Sequence, residues 1–109
     1  MIEGQRVTFD NGSVVGFDFP VKEKIEFEDK VIVLLKIGNS QYNQNVFAIN
    51  KAGMILWQIE KSEDLDLMGY CPFVNIEMRQ GQLILWNWCG FRLTADIDTG
   101  KIIDSVFTK

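Results

Sequence analysis

The chain has no histidine among its 109 residues. That removes Ser-His-Asp and Cys-His catalysis and any histidine-based metal site. Proton transfer near neutral pH would then need a strongly shifted carboxylate or lysine. No residue spacing asks for one, so the expectation is a protein that is not an enzyme and holds no metal or cofactor. Cysteine is scarce too. Cys71 and Cys89 do not form a metal-ligand cluster. They read as reduced, partly buried thiols, and a disulfide between facing strands is discounted. Only two prolines occur, which excludes a proline-rich linker. Long apolar runs are missing: the longest, Val31 to Leu35, is far too short to span a bilayer. Met1-Ile2-Glu3-Gly4-Gln5-Arg6 shows no basic segment followed by an apolar one, so no signal peptide is read there. The expected residence is cytoplasmic, with no membrane partner.

What is present suits one globular domain over residues 1–109. Hydrophobic residues make up 47% and aromatic residues 12%, which supplies bulky core material for a thin β architecture. Charge is unevenly placed. Between Glu60 and Glu77 the acids Glu60, Glu63, Asp64, Asp66 and Glu77 face Lys61 alone, so this stretch carries the whole net charge of −4. Nucleic acid is disfavoured as a partner, and a basic protein is allowed.

Nearly every segment reads as strand. Val7-Thr8-Phe9 and Val14 to Phe17 flank Asn11-Gly12, for which a type I′ hairpin turn is predicted. The same Asn11-Gly12-Ser13 matches a glycosylation sequon, but the turn reading is preferred. Ile25 to Phe27 precedes a turn at Glu28 to Lys30. Val31 to Ile37 is apolar almost throughout, as a strand buried on both faces would be. Hairpins are expected across Lys51 to Gly53, Arg79 to Gln82 and Asp98 to Lys101. Ser62 is placed to cap one helical turn over Glu63 to Leu67. A weak internal repeat matches Val46 to Trp57 with Leu93 to Asp104, pairing Ala48 with Ala95 and Gly53 with Gly100. The fold class predicted is all-β, with antiparallel hairpins in a partial propeller-like or sandwich arrangement.

Three features are candidates for chemistry. Asp96, Asp98 and Asp104 around Gly100 hint at a calcium loop, but the third ligand and distal glutamate of that pattern are missing, so a hairpin turn is expected. Trp86, Trp88 and Phe91 cluster near Asn87 and Cys89; strand alternation would place both indoles on one face, as core packing or as a platform. The acidic segment, with Tyr70 and Phe73 beside it, suits either a solvated loop or a face for a cationic partner.

The phrases Asn45 to Asn50, Gly53 to Ile59 and Thr99 to Ile103 resemble pyrroloquinoline-quinone-type propeller repeats. The fuller order of Asp10-Asn11-Gly12, Phe19-Pro20, Val31 to Leu35, Leu56 to Ile59 and Thr99-Gly100-Lys101 resembles small bacterial immunity proteins of contact-dependent growth inhibition and related polymorphic-toxin systems. That resemblance implies a stoichiometric inhibitor that occludes a cognate toxin, often a nuclease, in a 1:1 complex. No quinone-binding residue carries over. A nuclease site binds phosphate and is therefore basic. Glu60, Glu63, Asp64, Asp66 and Glu77 are the expected charges of the interface, with Tyr70 and Trp88 as anchors. The alternative is a small-ligand or carbohydrate-binding β module that uses the Trp86 to Phe91 aromatics.

Overall fold

The computed structural model describes residues 2–3, 6–9, 11–17, 19–36, 43–60 and 71–107. Among these residues eleven strands form three antiparallel sheets. Sheet A holds β1 (Ile2–Glu3), β2 (Arg6–Thr8) and β3 (Val14–Gly16). Sheet B is a meander of β4 (Val21–Phe27), β5 (Lys30–Leu35), β6 (Val46–Asn50) and β7 (Ile55–Gln58). Sheet C repeats that meander with β8 (Phe73–Arg79), β9 (Gln82–Asn87), β10 (Phe91–Ala95) and β11 (Ile102–Phe107). No helix occurs among the described residues, and the turn expected near Ser62 lies outside them. The arrangement is the expected all-β one, and it is sandwich-like.

Sheet B is the middle layer. Every residue of β5 is buried, as its unbroken apolar run predicts. Ile32 and Leu34 join Val46, Ala48 and Trp57 in a core shared with Phe73, Leu83, Leu85 and Leu93 of sheet C. Val31, Val33 and Leu35 face the other way and pack with Val7 and Val15 of sheet A. The internal repeat now has a structural meaning. Both of its copies cover the hairpin between the third and fourth strands of a four-stranded meander.

Turn chemistry sets the registers. The first hairpin closes from Phe9 to Ser13 over three residues rather than two, so it is not the two-residue type I′ turn. Gly12 turns left-handed at φ 88°. The Gly12 N–H donates to Phe9 O, and the Phe9 N–H to Ser13 O. That pattern fits a type I turn closed by a glycine bulge. The type I′ pair of positive φ angles occurs instead at Gln80 (53°) and Gly81 (78°). Asp96 behaves as a turn residue: its carboxylate accepts the N–H groups of Asp98 and Thr99.

Sheets B and C are also joined by polar contacts. Asn45 is fully buried, and its Nδ2 donates to Leu35 O and Phe73 O while its Oδ1 accepts the Phe73 N–H, all at 2.8–2.9 Å. The side chain thus acts as a short length of strand between β5 and β8. The Trp57 Nε1–H donates to Ile97 O at 2.9 Å. Its ring lies on Gly100, where an added Cβ would come within 2.5 Å of Cε3.

Candidate functional site

The β9–β10 turn is held in place from several directions. Strand β9 ends at Asn87, whose Oδ1 accepts the Phe91 N–H at 2.8 Å. Gly90 takes φ 95°, a backbone state that disfavours any side chain. The Trp88 N–H donates to Pro72 O at 2.9 Å, extending the β8–β9 ladder by one row. That extra row brings Cys71 and Cys89 to a Cα separation of 5.4 Å, within disulfide range, and they are bonded. The expectation of two reduced thiols is therefore corrected. It rested on a reducing compartment, whereas one ladder sets the two residues side by side. The Cys71 N–H is fixed in turn by Asn43 Oδ1 at 2.8 Å.

On this clamped turn Trp88 is 66% exposed. It stands one ladder row beyond the end of β9. Strand alternation places Trp86 on the sheet C face away from the core, opposite Asn75 and Arg92. At the same end of sheet C, Phe107 pairs across the ladder with Phe91, and their rings meet at a tilt of 53° with centroids 5.1 Å apart. Phe107 and Val106 are both exposed. Val106 lies on the face that carries Trp86, across the ladder from Arg92, and Phe107 on the opposite face, so apolar exposure at this end is divided between the two faces. Asn87 adds a buried amide whose Nδ2 has no hydrogen-bond partner.

The acids expected beside Trp88 are arranged otherwise. The Glu60 carboxylate accepts the Ile102 N–H at 2.9 Å, and the Glu60 N–H donates to Gly100 O. Glu60 thus fastens the end of sheet B to the β10–β11 turn. Glu77 is paired with Arg79 at 2.7 Å near the far end of the β8–β9 hairpin. Its row lies about 13 Å along the ladder from Trp88, at roughly 3.3 Å per residue. Glu63, Asp64, Asp66 and Tyr70 lie outside the described residues. Phe107 and Val106 were not singled out from sequence. Their signal was available: the last strand of a meander has no neighbour on one side, so its apolar residues stay exposed.

No group of three or more metal-ligating side chains occurs among the described residues, and no helix there is long and apolar enough to cross a membrane. Lys30 lies above the ordinary lysine value, chiefly through its hydrogen bond to Asp98, with Asp29 adding and partial burial opposing. Its Nζ is 3.2 Å from Asp98 and 3.3 Å from Asp29, so it ties the β4–β5 turn to the β10–β11 turn.

The chain belongs to the DUF7957 family. The family model, described as a domain of unknown function, matches residues 1–107. No curated protein and no solved structure matches this DUF7957 chain.

Proposed function

We propose that this DUF7957 domain acts by stoichiometric binding of a partner protein, as an immunity protein does when it caps a cognate toxin. The observation that carries this reading is Trp88, exposed on a turn fixed by a disulfide, one ladder bond and the Asn87 side chain. Exposed tryptophans on rigid frames are preferred anchors of protein interfaces, because they bury a large area at little entropic cost. Val106, on the sheet C face that carries Trp86, adds apolar exposure nearby. In this reading Glu63, Asp64 and Asp66 steer a basic toxin toward that surface, and Tyr70 is a second anchor. Glu60 and Glu77 are already engaged within the domain, so their part in steering is smaller.

The compartment bears on the mechanism. A bonded Cys71–Cys89 pair belongs with an oxidising environment, whereas cytoplasmic residence would keep the pair reduced. Thiol labelling of protein taken from its native host distinguishes the two.

The test uses the product of the adjoining gene as the candidate toxin, with surface-plasmon kinetics at two salt concentrations. Trp88→Ala should weaken binding about thirtyfold or more, mainly by faster dissociation. Neutralising Glu63, Asp64 and Asp66 together should slow association and flatten its salt dependence. A complex that survives Trp88→Ala unchanged would sink the reading.

A further inference from the structure

We propose that the domain also binds a small amphipathic monocarboxylate in the cavity between sheets A and B. This site is separate from the Trp88 surface on sheet C and does not depend on the partner-binding reading.

The cavity has a volume of about 300 Å³. It arises from a break in the pattern of β4. Lys24 stands opposite Val33 and Glu26 opposite Val31, so both charged residues occupy the face that sheet A covers. Ile25, between them, faces the other way and packs into the core with sheet C. Two apolar side chains at positions 24 and 26 would fill the space; two charges keep it open to water.

The lining is amphipathic. Val7 and Val31 are 1% and 3% exposed and, with Phe9, form an apolar floor. Lys24, Lys51, Glu26, Asn11 and Thr8 form the polar part. Lys51 is brought there by close packing of two turns. A Cβ on Gly53 would lie 2.7 Å from the Cβ of Ser13, so the β6–β7 turn rests against the β2–β3 turn. The Asn11 Oδ1 is taken by the Ser13 N–H at 2.9 Å, which leaves Nδ2 as the group Asn11 can offer a ligand.

Charge selects the class of ligand. Among the described lining residues two ammonium groups stand against one carboxylate, a balance that favours a monoanion. Lys24 Nζ lies 3.8 Å from Glu26 Oε1, a loose pair that a ligand carboxylate can displace. A dianion such as phosphate meets more repulsion from Glu26 and gains nothing from the apolar floor. A neutral apolar molecule leaves both lysines unused. The volume, at the small end for ligand sites, suits one ring or a short chain bearing the carboxylate.

The test titrates benzoate, benzyl alcohol and inorganic phosphate into the ¹⁵N-labelled full chain and follows amide shifts at low salt. Benzoate should give saturable shifts at Val7, Phe9, Lys24, Val31 and Lys51. Benzyl alcohol and phosphate should bind about tenfold more weakly or worse. Lys24→Met with Lys51→Met should weaken benzoate about tenfold, each exposed charge contact contributing roughly two- to fivefold. Glu26→Gln should tighten benzoate binding roughly two- to fivefold. That gain cannot come from misfolding. Benzoate shifts that stay linear or scatter over the surface overturn the proposal, and so does a Glu26→Gln variant of unchanged affinity. In either case the charges serve only to keep a foreign strand off the β4 edge.

Discussion

Sheet B is covered on both faces, and the two coverings are built differently. Toward sheet C, twelve described residues form a continuous buried cluster that includes Trp57 and Phe73. Around it Asn45, Trp57, Glu60 and Lys30 make polar contacts from one sheet to the other. Toward sheet A the buried cluster has six described members, and its aromatics, Phe9, Phe17, Phe19 and Phe47, are only partly buried. The proposed carboxylate cavity opens on that thinner side. Sheets B and C together thus form the stable body of the domain, while sheet A is a lighter cover whose mismatch with β4 leaves room for a ligand.

The comparison is broken most directly by truncating one residue on each side. Leu85→Ala, at a fully buried position facing sheet B, should cost about 4 kcal/mol. Val7→Ala, buried to the same degree but under sheet A, should cost about 1–2 kcal/mol. Urea unfolding gives both values. Hydrogen exchange adds a finer readout: Val7→Ala should speed exchange in sheet A and leave the amides of β9 and β10 protected. Equal costs and uniform exchange would mean that the three sheets are one cooperative unit.

Next in size is the disulfide. Cys71 and Cys89 are 18 residues apart, and closing a loop of that length should contribute about 3 kcal/mol. Cys71→Ser with Cys89→Ser should lower stability by that amount and loosen the Trp88 turn, seen as a faster-tumbling indole in fluorescence anisotropy decay. Sheet A, which the bond does not touch, should keep its exchange rates.

Asn45→Ala should cost about 2–3 kcal/mol in thermal unfolding, since it strands Leu35 O and the N–H and O of Phe73 in a buried place. A loss below about 1 kcal/mol would show that water enters between β5 and β8, and that the contact with sheet C is less tightly sealed than the one with sheet A.

Strand periodicity and glycine-bearing turns made most of this legible. The β5 run, the four later hairpins and the repeat of Gly53 with Gly100 all follow from local chemistry, which a sequence displays directly. The disulfide did not, because the closeness of Cys71 and Cys89 depends on one extra ladder row, Trp88 to Pro72, that no local signal predicts. Asn45 is an ordinary polar residue in sequence, and only burial between two sheets gives it three partners. The same limit applies to the site. Glu60 reads as a free acid until the third dimension places the Ile102 N–H against it. Lys24 and Glu26 look like a solvated alternation until pairing with Val33 and Val31 sets them on the sheet A side of β4, with Lys24 partly buried and Glu26 at the exposed rim.

The smallest effect belongs to Lys30, and it tests the polar contacts between B and C through pH. The Lys30 ammonium is held by Asp98 and Asp29, and its folded value is raised above that of a free lysine. The folded state therefore keeps its proton when the unfolded chain has begun to lose it. The stabilisation is fully present below the unfolded value, near 10.4, and is lost as pH rises through the higher folded one. Wild-type protein should accordingly lose stability to urea between pH 9 and the alkaline limit by more than Lys30→Met does. At pH 7 the variant should be the less stable of the two, and the gap should narrow as pH climbs. Because Asp98 lies in sheet C and Asp29 in sheet B, Asp98→Asn separates the two contributions. If the B-to-C contact is the one that matters, Asp98→Asn removes most of the alkaline difference, and Asp29→Asn leaves most of it in place.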